Sequence, residues 1–109
     1  MIYTIEKITT LIGARRFGEE NANIGFLLTD SRSLCFPEET LFFALKSGRN
    51  DGHHYIPELY RRGVRNFVVE DVPENMGQVY PKVNFLKVIN SLEALQRLAE
   101  RHRDEFNIP

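Results

Sequence analysis

Two polar knots, Asp30-Ser31-Arg32 and Asn50-Asp51-Gly52-His53, flank an apolar run, Leu41-Phe42-Phe43-Ala44-Leu45. Their residue types suit the gripping of a polar, anionic ligand. Ser31 can donate and accept hydrogen bonds, and Asn50 offers donors and an acceptor in one plane, which suits the edge of a base. Arg32 or Arg49 can hold a phosphate or carboxylate through two parallel N–H bonds. Gly48 and Gly52 let backbone approach a ligand closely. Together these groups resemble a nucleotide-like anion site. The same residues have a plainer use. Asp and Ser after a strand cap the local backbone, and Asn-Asp-Gly is a common turn sequence. The pattern leaves both readings open.

Other chemistries find less support. His53-His54 has no Cys, Asp or His partner at metal-ligand spacing, so no metal site is expected. A Ser31, His53 and Asp51 catalytic set lacks a nucleophile-elbow motif. Cys35, the single cysteine, stands between Leu34 and Phe36 and reads as a small structural residue. One cysteine allows no disulfide within the chain, and a reducing compartment is the expectation. There is no G-x-x-x-x-G-K-[ST] and no G-x-G-x-x-G, and none of the seven glycines precedes a lysine. These residues therefore hold no recognisable ATP cradle.

The elements that must position the knots follow from periodicity. Ile5, Ile8, Leu11 and Ile12 recur at helical spacing and Gly13 follows, which predicts a helix over residues 4–12. Ile24, Phe26 and Leu28 alternate, which predicts a strand over residues 24–29. Pro37 and two acids make the next stretch a turn. "TLFFALK" is a continuous apolar run, suited to a strand covered on both faces. "SGRNDGHH" reads as a loop and "YIPELYRRG" as a short helix, with Pro57 in its first turn and Gly63 beyond its end. Residues 64–70 read as a strand, "DVPENMGQVYPKVN" as a long polar connection and "FLKVI" as a fourth strand.

A last helix starts after Ser91 as N-cap. Its stripe is Leu92, Leu95, Leu98, Ala99 and Phe106, with a Glu93–Arg97 pair in the favoured order. The charges of "ERHRDE" read as a solvated face. Ile108-Pro109 reads as the entry to a further strand, as if the chain were cut there.

Strands alternating with helices after residue 24 predict an α/β fold with a mixed, partly parallel sheet sandwiched by helices. In such sheets ligands bind beyond strand ends. If the strands before the two knots are neighbours, the knots lie side by side.

The totals fit one domain over residues 1–109. At this length roughly 60 to 70% of the unfolded surface is buried, enough for a core without staples. The chain is 42% hydrophobic and 27% charged with a net charge of −1. With only two adjacent basic pairs, Arg15-Arg16 and Arg61-Arg62, no nucleic-acid partner is expected. No 18-residue apolar run exists, so no membrane span is expected. Glu6 and Lys7 interrupt the apolar pattern of the N-terminus, which is no signal-peptide core; a cytoplasmic location is the expectation.

Taken in order, Asp30-Ser31-Arg32, Leu41 to Leu45, Gly48, Asp51-Gly52-His53, Tyr55-Ile56 and Gly63 before Val68-Val69-Glu70 resemble the N-terminal domain of the Mur ligases. These are ATP-dependent amide-forming enzymes of peptidoglycan synthesis. The likeness covers residues 24–70 well and the flanks loosely. It implies a domain that binds the UDP end of a UDP-N-acetylmuramoyl-peptide, with the ATP-binding and C-terminal domains of the parent absent. Carried over by position, Thr29, Ser31, Gly48, Arg49 and Asn50 match positions that contact the uridine. Asp30, Arg32, Asp51, Gly52 and His53 look like organisers of the two loops.

The histidine of Asp51-Gly52-His53 makes the chain most similar to the member that adds D-alanyl-D-alanine to the UDP-N-acetylmuramoyl-tripeptide. The sister that adds lysine or diaminopimelate is the alternative. So are a stand-alone binding module without catalysis and a small independent enzyme using Ser31 or His53. The resemblance implies ATP and magnesium in the parent, no cofactor and no catalytic residue in these residues, and inactivity of this piece alone. Some relatives are fused to an alanine racemase. The chain departs from the family pattern at Pro37-Glu38, where Pro-Gly is usual. It departs again at Gly48, where the glycine commonly stands one position earlier.

Overall fold

The computed structural model describes residues 3–102 and Phe106. Its centre is a five-stranded sheet. Strands β1 (Tyr3–Thr4), β2 (Arg15–Phe17), β3 (Asn23–Ile24), β4 (Phe26–Leu28), β5 (Thr40–Phe43), β6 (Lys46–Ser47), β7 (Asn50–Asp51), β8 (Asn66–Val69) and β9 (Asn84–Lys87) follow in chain order. The order across the main sheet is β2-β9-β8-β5-β4. β4, β5, β8 and β9 are mutually parallel, and β2 closes the far edge antiparallel to β9. The expected mixed, mostly parallel sheet is therefore present.

Helices cover both faces. α1 (Ile5–Ile12) and α4 (Ser91–His102) pack on one; α2 (Ile56–Arg61) packs on the other. Alternate residues of each strand serve opposite cores. Leu41 and Phe43 join Ile5, Ile8, Val68, Leu86 and Leu98. Phe42 joins Leu28, Ile56, Leu59, Phe67, Val69 and Phe85. Burying each such side chain contributes roughly 1.5–3 kcal/mol. This explains why "TLFFALK" reads as an unbroken apolar run: both faces of β5 are inside.

α1 begins at Thr4, whose side chain accepts from the Lys7 N–H, and ends at Gly13 in the left-handed region, φ 65°. A non-glycine side chain is strained there, which makes Gly13 a fitting stop. At the amino ends of β8 and β9, buried Asn84 donates through Nδ2 to Asn66 Oδ1 and to the Glu20 carbonyl, each at 2.9 Å.

Several expectations are corrected. The strand over residues 24–29 is two pieces. Ile24 pairs antiparallel with Tyr3, while Phe26, Leu27 and Leu28 pair parallel with β5. One extended stretch thus serves two ladders. β2 went unforeseen because Arg15-Arg16-Phe17 shows no apolar alternation. The "SGRNDGHH" loop contains the β6–β7 hairpin, and the polar connection contains a helical turn, α3 (Met76–Val79).

Ser91 is not the N-cap of α4. Asn90 Oδ1 accepts the Glu93 N–H at 2.9 Å, the capping bond, and Ser91 is the buried first residue of the helix. Leu92 is 47% exposed, because the inward face runs through Ser91, Ala94 and Leu98. Cys35 is exposed, not a packed structural residue. The proposed continuation at Ile108-Pro109 lies outside the described residues. Among the described residues no helix is long and apolar enough to cross a membrane.

Candidate ligand edge

β4 and β5 are parallel neighbours, with Leu28 opposite Phe42. Their carboxyl ends therefore open on the same edge of the sheet. The first knot leaves β4 there and the hairpin leaves β5 there. This is the edge at which α/β sheets receive ligands.

Each knot is locally ordered. Asp30 caps a 3-10 turn over Ser31–Ser33, its Oδ1 accepting the Arg32 N–H at 2.9 Å. The Arg32 guanidinium closes back on the same carboxylate, with Nε at 3.1 Å from Oδ1 and Nη2 at 2.9 Å from Oδ2. That contact, chiefly its side-chain hydrogen bonds, holds the Asp30 carboxyl below its usual range and raises Arg32. The Ser31 carbonyl accepts from Arg62 Nη1 at 2.9 Å, which ties the turn to the end of α2. Thr29 and Ser31 are half-buried and Arg32 is exposed.

In the second knot Gly48, Arg49 and Asn50 sit exposed at the hairpin tip. Gly48 has φ 56° and opens the two-residue turn between Ser47 and Asn50. Glycine fits such a position because a first turn residue at positive φ penalises a Cβ. Gly52 behaves differently from expectation. A Cβ there would stand 2.8 Å from the Leu45 backbone nitrogen and 2.9 Å from the Ala44 Cα. Its glycine serves a close approach to the chain's own backbone rather than to a ligand.

Asp51 Oδ1 accepts both the His53 N–H at 2.9 Å and a 2.6 Å contact from His53 Nδ1. The backbone N–H of His53, with the ring beside it, lowers the Asp51 carboxyl. His53 Nε2 faces the backbone N–H groups of Glu70 at 3.0 Å and Asp71 at 3.4 Å. Only an unprotonated Nε2 can accept, so the proton sits on Nδ1 and donates to Asp51. The Asp51–His53 half of a catalytic set is thus formed, yet its Nε2 is engaged by backbone and does not meet Ser31. Among the described residues no group of three or more His, Cys, Asp and Glu side chains comes together as a metal site.

Three residues outside the candidate site set complete the edge. Lys46 Nζ lies 2.9 Å from Asp71 Oδ2 and 3.7 Å from Glu70 Oε1. The Asp71 contact raises Lys46 and lowers Asp71. Glu70 Oε2 accepts the Ser91 N–H at 2.9 Å, in the first turn of α4. Their signal lies in the pairing of β5 with β8, which brings residues 46 and 70 together only once the sheet is known. The two knots make no hydrogen bond with each other among the described residues.

Two clefts lie elsewhere. A polar cleft of about 710 Å³ opens at the opposite edge, by Glu20, Arg65, Asn66, Lys82 and Asn84. A cleft of about 450 Å³ lies between Phe36, Pro37, Arg62 and Arg65. Neither is lined by Thr29, Ser31 or residues 48–50.

Comparison with known proteins agrees with this architecture. Residues 23–103 match the model of the Mur ligase family, catalytic domain. A UDP-N-acetylmuramoyl-tripeptide–D-alanyl-D-alanine ligase from Synechocystis is 34% identical over 90 residues, covering 83% of this chain and 19% of the relative. The enzyme of the same name from Haemophilus influenzae is 30% identical over 101 residues, covering 93% and 21%. The chain thus spans about a fifth of these relatives' length. Among solved structures, a UDP-N-acetylmuramoylalanyl-D-glutamyl-2,6-diaminopimelate–D-alanyl-D-alanyl ligase from Acinetobacter baumannii superposes with a TM-score of 0.74 at 20% identity. It covers 95% of this chain and 22% of that one. A second structure, MurF from the same organism, gives 0.73 at 20% identity, again over 95% of this chain and 22% of that one.

Proposed function

The chain belongs to the Mur ligase family, and on that premise we propose that it holds the UDP end of a UDP-N-acetylmuramoyl-tripeptide for a cytoplasmic, ATP-dependent ligase. That ligase adds D-alanyl-D-alanine in peptidoglycan precursor synthesis. The observation that carries the reading is the parallel pairing of β4 with β5, which opens both polar knots on one edge. The names of the two curated relatives supply the substrate.

In this reading Thr29 and Ser31 face the nucleotide from one side, and Gly48, Arg49 and Asn50 from the other. Asn50 reads the base edge and Arg49 supplies charge toward the diphosphate. Arg49 is the suitable cation here. Arg32 is folded onto Asp30, Lys46 onto Asp71, and Arg62 onto the Ser31 carbonyl. Asp30, Asp51, Gly52 and His53 order the loops from beneath.

In this reading ATP and magnesium would bind elsewhere in the parent enzyme and would supply the activation of the peptide carboxylate. The residues described here do not fit that role. No glycine precedes a lysine, and no cluster of metal-ligating side chains forms among them. No bond-making step is assigned to this chain. Its contribution is positioning, which is where much of a ligase's rate advantage arises.

Equilibrium binding of UDP and of ATP, measured by calorimetry on the chain and on Arg49→Ala, tests the reading. UDP binding that weakens in the variant, with no comparable binding of ATP, supports it. Equal binding of both nucleotides contradicts it.

A further inference from the structure

We propose that His53 and Glu70 form a positioning pair that holds the hairpin of residues 46–51 at the ligand edge without touching ligand themselves. The proposal rests on the nucleotide-binding reading of that edge.

The hairpin needs such a hold. β6 and β7 are two residues each, and Lys46, Ser47 and residues 48–50 are all exposed. A two-stranded hairpin of this size is at best marginal by itself. None of these side chains enters either core. The bond from the Gly52 N–H to the Leu45 carbonyl, 2.7 Å, closes the stem but ties it to nothing beyond β5.

Beside the 2.9 Å bond from Lys46 Nζ to Asp71 Oδ2, the tie runs through Glu70. Its backbone N–H donates to His53 Nε2 at 3.0 Å. One carboxylate oxygen approaches Lys46 at 3.7 Å, and the other accepts the Ser91 N–H at 2.9 Å. One residue at the end of β8 therefore links both sides of the hairpin stem to α4. His53 completes the link because Nδ1 grips Asp51, the last residue of β7, at 2.6 Å. The ring is well inside, with its side chain 13% exposed, so it is not free to meet a ligand. A hairpin fixed beforehand spares a ligand the cost of ordering Arg49 and Asn50 on binding.

The test uses the whole chain with His53→Ala, His53→Gln and the surface variant Lys46→Met. Nitrogen-15 relaxation of the amides of Gly48, Arg49 and Asn50 is measured without ligand. UDP affinity is measured on the same samples. His53→Ala is expected to loosen the three amides and weaken UDP about tenfold, the order expected when one or two side chains must be ordered at binding. His53→Gln keeps an acceptor for the Glu70 N–H and should recover much of both. Lys46→Met, which leaves the ring in place, should show a smaller change in the same direction.

Retained order in His53→Ala overturns the proposal, as does lost order with unchanged UDP affinity. If the unaltered chain takes up no UDP, the nucleotide reading fails separately. The relaxation comparison then decides by itself whether the pair holds the hairpin.

Discussion

The Glu70 backbone N–H points at His53 Nε2 across 3.0 Å, while the opposite ring nitrogen lies 2.6 Å from Asp51. One imidazole thus spans the hairpin stem and the end of β8. The arrangement demands a neutral ring protonated on Nδ1. Long-range proton–nitrogen correlation of the histidine ring should show that tautomer at neutral pH. Protonation on Nε2 instead would mean that the ring faces the Glu70 amide as a donor, and that the link is absent.

Acid should loosen this edge. Asp30, Asp51 and Asp71 all have carboxyls held below the ordinary range, by Arg32, by the His53 N–H and by Lys46 respectively. A carboxyl depressed in the folded state contributes stability that is present above its unfolded pKa, near 4. That contribution fades as pH falls through the folded value. Melting temperature should therefore drop as pH falls below about 4, the unfolded carboxylate value, and Asp51→Asn should flatten part of the drop. An unchanged slope in the variant would assign the acid sensitivity elsewhere.

The two glycines of the second knot should respond to alanine for different reasons. At Gly52 the new Cβ meets backbone at 2.8 Å, which something rigid must relieve. A loss of about 1–3 kcal/mol is expected, the range for overpacking. At Gly48 the space is open but φ is 56°, and the left-handed conformation itself costs roughly 1–2 kcal/mol. Urea denaturation measures both. Only Gly52→Ala should also shift the amides of Ala44 and Leu45.

These contrasts show what the residue pattern reveals and what it hides. The strand under the two knots was legible because Leu41, Phe42 and Phe43 are buried on both faces and so leave no alternation. α1 was legible because Thr4, Gly13 and the spacing of Ile5, Ile8 and Ile12 agree. β2 was hidden because an edge strand of Arg-Arg-Phe needs no apolar period, only a partner in β9. The candidate ligand residues were legible as polar groups at strand ends. Lys46, Glu70 and Asp71 were not, since their contacts exist only through the pairing of β5 with β8. Composition cannot choose the cap of α4, because Ser and Asn are about equally good caps and stand side by side.

That correction is itself testable. Asn90→Ala removes the bond to the Glu93 N–H and should destabilise the chain by about 1 kcal/mol. Ser91→Ala removes a buried hydroxyl that has no partner among the described residues, and should be neutral or slightly stabilising. Thermal melting of the two variants side by side separates the assignments. The reverse order of effects would return the cap to Ser91.

The buried amide pair at the opposite edge offers a control remote from the ligand. Asn84→Ala strips the bonds to Asn66, to the Glu20 carbonyl and from Arg16 Nε. A loss of about 1–3 kcal/mol is expected, because buried polar partners are left unsatisfied. Nucleotide affinity, measured below the melting transition, should stay unchanged.

The most direct test of the account is amide-shift mapping of the chain titrated with UDP-N-acetylmuramoyl-tripeptide, with ATP as the control. Shifts clustered at residues 29–32 and 48–52 with the UDP compound, and not with ATP, are the predicted result. No shifts at millimolar ligand, or shifts gathered around Asn66 and Asn84 at the far cleft, would contradict it.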